Sequence, residues 1–216
     1  MTRRRLPTLV ALTVALLAAG QAFRIDLGAF STSGSTWHRS SVPYVLNPAN
    51  LDLPEAQAES AMLVGASSWA TQAATSFSFV YGGRSTQTTT TLDSTNLVVF
   101  RNASSGSAIA TAYTWFNSSG LLDADIVFWD GGFRFFAGSS GCSAGFYIED
   151  IAAHEFGHAL GLGHSDVAGA TMFPSVSSCS TAPRSLHADD IAGVQSLYPS
   201  TAPLPQAPTG FRIKTS

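Results

Sequence analysis

Five residues within one short stretch, His154, Glu155, His158, Gly161 and His164 in HEFGHALGLGH, have the types and spacing to hold a metal ion and activate water beside it. At 3.6 residues per turn, His154 and His158 lie one turn apart on the same helix face, so both imidazoles reach a common point. Glu155 is about 100° further round, where its carboxylate meets a water on that ion without being the natural ligand. Gly161 adopts the left-handed conformation that ends a helix, and the reversal returns His164 as a third nitrogen.

Three neutral imidazoles with one position left for water is the open tetrahedral arrangement of catalytic Zn2+; structural zinc more often has four protein ligands and is Cys-rich. Zinc so held makes water acidic, and Glu155 is placed to take the proton and pass it to a leaving amine. The competing reading is a buried helix with incidental histidines. All five residue types at these spacings argue against it.

These side chains need a rigid support. A helix is predicted over Ile148 to Leu160, with Glu149 and Asp150 in its first turn, where the helix dipole favours them. Ile148, Ala152, Phe156, Ala159 and Leu160 form an apolar face that would anchor it in the core. Upstream, Val42 to Leu46 reads as a strand, and Pro54 opens a long helix through PEAQAESAMLVGASSWATQA. Phe77 to Tyr81, Leu97 to Phe100, Ile109 to Phe116 and Leu121 to Trp129 read as further strands, and Ala188 to Leu197 as a last helix. The pattern predicts an α/β (α+β) domain with a twisted sheet of four or five strands. Ser85 to Thr95 is polar and low in complexity, as expected of a surface loop.

The chain has 216 residues, of which 45% are hydrophobic and 12% charged, with a formal net charge of −3. That suffices for one domain with a real core and lacks the basic footprint of a nucleic-acid binder. Residues 1–22 combine Arg3, Arg4 and Arg5 with an apolar run and small residues, the pattern of a cleaved secretory signal; an uncleaved N-terminal anchor is the alternative. Losing them removes three arginines and no acidic group, leaving eight basic against fourteen acidic side chains, net −6. The expected mature protein is secreted, extracellular and monomeric, without stable membrane insertion.

Residues 23–41 read as a mobile leader, 42–198 as the catalytic domain and 199–216 as a Pro-rich tail. The tail's APTGFRI resembles the opening strand of a fibronectin type III module; a disordered tail is the alternative. Cys142 and Cys179 are the two cysteines, and in an exported chain a disulfide between them is the simple expectation, with two separate thiols as the alternative.

HExxHxxGxxH followed by Met172 in ATMFPS resembles the metzincin zinc proteases. That resemblance implies a Met-turn with Met172 beneath the histidines as a structural base; taken alone, Met172 reads equally as core. Ser165 after the third histidine, Met172-Phe173-Pro174, LHADDIAGVQSLY and Asp123-Ala124-Asp125-Ile126 make the chain similar to matrixins in particular. It implies a metzincin-type twisted sheet of about five strands with a long helix behind it, an active-site zinc helix and a C-terminal helix. It also implies that Asp189 or Asp190 bonds the Met-turn backbone. Three features depart from animal matrix metalloproteinases. No histidine lies between His38 and His154, so their second zinc site is missing; no Cys precedes Cys142, so a cysteine switch cannot operate; and Gly163 stands where Asp is common. The chain is most similar to a minimal, microbial, secreted form.

Asp123, Asp125 and Asp130 are candidate Ca2+ ligands, with ordinary turn and strand-end aspartates as the alternative. The expected function is a secreted zinc endopeptidase acting on extended polypeptide, laid along an edge strand placed within Ser107 to Phe116, whose alternating apolar content equally suits ordinary sheet core. A narrow-specificity processing protease or amidase, or a non-catalytic secreted binding protein with a vestigial zinc site, remain alternatives.

Overall fold

A computed structural model describes residues 30–199 apart from Ala74. The expected signal over 1–22, the first part of the leader and the tail beyond Pro199 lie outside the described residues. The elements in chain order are β1 (Ser41–Asn47), α1 (Glu55–Gln72), β2 (Ser78–Arg84), β3 (Leu97–Phe100), β4 (Ala110–Asn117), β5 (Gly120–Phe128), β6 (Phe135–Phe136), β7 (Phe146–Tyr147), α2 (Ile148–Leu160) and α3 (Ala188–Leu197).

Five strands form one sheet in the order β2-β1-β3-β5-β4. All neighbours run parallel except β4, which lies antiparallel to β5 and forms one edge. Alternation along the strands sorts side chains to two faces. Leu46, Val98, Phe100, Ile126 and Phe128 pack with Met62, Trp69 and Phe156 of the helices, whereas Leu97, Val99, Val127 and Trp129 form a second cluster. The two-residue strands β6 and β7 pair in parallel. Nothing in the sequence pointed to them, because two residues are too few to show a period.

Helices α1 and α2 press together closely. A Cβ placed on Gly65 would lie 2.4 Å from Ala152 Cβ, so only glycine permits this crossing. Next to it, Trp69 Nε1 donates to the Ala153 carbonyl at 2.8 Å. Pro54 sits one residue before α1 as its N-cap, with its carbonyl accepting from Gln57 and Ala58.

Residues 30–40 correct the expectation of a mobile leader, because they are docked. Trp37 is 4% exposed, and its indole N–H donates to the Ala159 carbonyl at 2.8 Å. Its main-chain N–H donates to Tyr198 Oη at 3.0 Å, and that hydroxyl donates to the Leu160 carbonyl at 2.6 Å. The end of α2 is thus tied to both flanks of the domain. The leader's serines and threonines show no period because main-chain hydrogen bonds, rather than an apolar stripe, hold it.

Candidate metal centre and cleft

Helix α2 ends where expected. Gly161 has φ 105°, in the left-handed region, and its N–H reaches back to the Gly157 and His158 carbonyls. The turn brings His164 round, so that ligand atoms of His154, His158 and His164 all lie within 4.8 Å of one another. Among the described residues no other group of three His, Cys, Asp or Glu converges in this way.

Two carbonyls orient the rings. His154 Nδ1 lies 2.7 Å from the Thr171 carbonyl, and His158 Nδ1 lies 2.9 Å from the Leu162 carbonyl. A carbonyl only accepts, so each neutral ring carries its hydrogen on Nδ1 and turns the Nε2 lone pair inward. Burial holds both rings in that neutral form, lowering His154 and His158 to about 4. The two Nε2 atoms are then 3.1 Å apart with lone pairs facing, an arrangement that calls for a cation between them. Zinc–nitrogen bonds of 2.0–2.1 Å in a tetrahedron place two nitrogens about 3.3 Å apart. The donor set fits zinc.

Glu155 faces the same cleft and is 6% exposed. Burial pushes its carboxyl up to about 8, while the Ala112 N–H donates to it and pulls the other way. Its Oε2 has no hydrogen-bond partner. The cleft, about 570 Å³, lies between β4 and the segment from Phe173 to Pro183, with α2 at its back. Just before β4, the Ile109 carbonyl accepts from Trp129 N on the β5 side, and Ala110, Ala112 and Thr114 lie in the opposite phase. Their main-chain groups therefore point away from β5, off the sheet edge.

Met172 lies under this helix. A Cβ on Gly157 would be 2.2 Å from Met172 Sδ and 2.6 Å from Trp69 Cζ2. Asp190 fixes the turn: its Oδ1 accepts from Met172 N at 3.0 Å, and its Oδ2 from Thr171 N at 2.7 Å and His187 N at 2.8 Å. Ser165, fully buried, donates to Asp189 Oδ2 at 2.6 Å, and its N–H donates to the Met172 carbonyl.

Cys142 and Cys179 form a disulfide with Cα atoms 5.5 Å apart, tying the loop before β7 to the cleft wall. Arg184 supplies a second clamp, donating through Nε and Nη2 to Asp150 Oδ2 and through Nη1 to the Gly138 carbonyl. The sequence offered no sign of this clamp, or of the Ala112, Leu162 and Thr171 main-chain contacts, because each partner is distant in the chain or is backbone.

The candidate calcium aspartates do not form one site. Asp123 accepts from Asp93 N and Ser94 N, and Asp125 from Thr91 N and Leu97 N, both carboxylates pinning the loop before β3. Asp130 is elsewhere, accepting from Leu51 N. The turn and strand-end role fits their partners.

The sequence profile of the family described as Matrixin matches residues 36–199. The chain belongs to the matrixin family. Among similar proteins, matrix metalloproteinase-27 of Tupaia belangeri is 46% identical over 71 residues, 33% of this chain and 14% of its own length. Metalloendoproteinase 4-MMP of Arabidopsis thaliana is 51% identical over 55 residues, 24% of this matrixin and 15% of that protein. Matrilysin of Mus musculus is 47% identical over 60 residues, covering 28% and 23% respectively. The matched stretches thus span less than a quarter of these relatives. The mixed α/β architecture and five-stranded sheet agree with matrixin membership.

Proposed function

We propose that this matrixin is a secreted zinc endopeptidase that hydrolyses peptide bonds in extended polypeptide. The observation that carries this reading is the Glu155 carboxylate, held at one side by Ala112 N–H and left with an unpartnered oxygen in the cleft that the three histidines line. Zinc held by His154, His158 and His164 would supply a Lewis acid that acidifies water and polarises a peptide carbonyl.

The chain's own residues do the rest. The Thr171 and Leu162 carbonyls aim two imidazoles that burial keeps neutral. Glu155 takes the proton of the attacking water and delivers it to the departing amine, so one carboxyl serves in both directions. A base buried to this degree, with a cation alongside favouring its ionised form, is poised near neutral pH. Substrate would lie along β4, pairing with the outward main-chain groups of Ala110 and Thr114 by strand addition. Such pairing demands an extended chain. Secretion rests on residues 1–22, and no described helix is long and apolar enough to cross a membrane.

The test is mass-spectrometric mapping of new peptide ends in a denatured proteome treated with the protein, beside a Glu155→Gln control of equal zinc content. New ends absent from the control support the endopeptidase. No cleavage by either, with zinc bound, favours a narrow-specificity processing enzyme or a binding protein.

A further inference from the structure

The third histidine sits on a loop with few restraints of its own. Helix α2 has ended at Leu160, and His164 is exposed. From the far side Ser165 ties the loop to Met172. On the near side, residues 31–33 run antiparallel to residues 161–163. Ser33 N–H donates to the Gly161 carbonyl at 2.7 Å, and Gly163 N–H donates to the Ser31 carbonyl at 2.8 Å. Thr32 bridges Leu162 between them, and Ser31 Oγ donates to the His164 carbonyl at 2.6 Å.

The seat is close. A Cβ on Gly163 would lie 2.3 Å from Ser31 Oγ, and one on Gly161 would lie 2.4 Å from the Ser35 carbonyl. Gly163 has an ordinary backbone conformation, so space for Ser31, rather than backbone freedom, accounts for glycine there. The loop also carries Leu162, whose carbonyl orients the His158 ring. Two of the three imidazoles therefore depend on a loop that the N-terminal segment holds.

We propose that Ser31, Thr32 and Ser33 are positioning residues of the metal centre, setting the His164 loop and, through Leu162, the His158 ring. None of them touches the ion. The proposal rests on the zinc reading above, and it gives the segment expected to be a leader a direct part in retaining metal. Partners that orient ligands typically alter metal affinity or activity by roughly 10- to 100-fold when removed.

The experiment uses the full chain and the variants Ser31→Ala, Ser33→Pro, Gly163→Ala and the Ser31→Ala/Gly163→Ala pair. Zinc affinity is measured by competition with a chromophoric chelator, and stability of the zinc-free forms by denaturant unfolding. Ser33→Pro, which deletes the donor to Gly161, should weaken zinc roughly 10- to 100-fold. Ser31→Ala and Gly163→Ala should each weaken it less, and the double variant should be no weaker than the worse single one, because both changes act on the same contact. Affinities within about twofold of the parent for all four overturn the proposal. So does a fall in affinity fully accounted for by lower zinc-free stability. A parent chain that binds no zinc overturns instead the function proposed above.

Discussion

Gly157 and Met172 meet with no room for a side chain between them: the Met172 sulfur lies 2.2 Å from where a Cβ on Gly157 would sit. Gly157 is the residue before His158, so the floor of the metal centre and the helix that bears two ligands are in direct contact. Gly157→Ala should force them apart, costing about 1–3 kcal/mol, as overpacking in a core does. Denaturant unfolding reads the loss, and chelator competition should show faster zinc release. Unchanged values for both would show that the turn shifts freely.

Glu155→Gln keeps the size of the side chain and removes its basicity. Turnover should fall by a factor of roughly 10² or more, while bound zinc stays at one equivalent. Steady-state cleavage of a quenched peptide, with metal analysis on the same sample, checks both halves.

Asp190 accepts from three main-chain donors, at Thr171, Met172 and His187, and is itself 1% exposed. Asp190→Ala strands those donors and should cost roughly 3 kcal/mol or more. Asp190→Asn keeps one acceptor oxygen and should cost less. Calorimetric melting of the pair, ordered Asn above Ala, is the expected result.

In the zinc-free protein the two buried histidines should weaken the fold on acidification, against buried carboxyls that act the other way. Burial lowers His154 and His158 to about 4, whereas in the unfolded chain a histidine titrates near 6.5. Between these values the unfolded state binds more protons than the folded one, so stability rises with pH and is lost as pH falls from 6.5 towards 4. Asp125, raised by burial to about 6, and Glu155, raised to about 8, act oppositely, favouring the folded state at low pH and losing that contribution as pH climbs through those values. Urea unfolding from pH 4 to 7 on the parent and on His154→Asn separates them. The variant should lose about 3 kcal/mol of the dependence, the value of its single shift.

Reducing Cys142–Cys179 frees the cleft wall near Val176 and Pro183 while leaving the histidines and Glu155 in place. At 25 °C the reduced protein should remain folded, with KM raised more than kcat is lowered. Its melting temperature should fall, in keeping with a cross-link worth roughly 3–4 kcal/mol. Equal KM before and after reduction would show that the Arg184 clamp alone sets the wall.

Helix α2 was legible to the residue, since Glu149 and Asp150 mark its start, Gly161 its end, and the histidine spacing the side that faces the cleft. The strand at the cleft was legible from its alternation and agrees with the edge position expected for it, although alternation alone also suited sheet core, because strand order depends on pairings made across the chain. Ser31 and His164 are 133 positions apart and meet through a hydroxyl and main-chain groups, which carry no side-chain pattern to read. The carboxylates divide in the same way. Asp190 could be given a role by resemblance, whereas the part of Asp123 and Asp125 in pinning residues 91–97 needed the loop's path.

The last carbonyls of α2 have a consequence for how the protein is made. Ala159 is satisfied by Trp37 and Leu160 by Tyr198, so the helix end is closed by residues from opposite flanks of the domain. A ribosome delivers all three histidines before it delivers Tyr198. The nascent chain therefore carries the three histidines before the cap on Leu160 exists, and the end of α2 is closed only once residue 198 has been made.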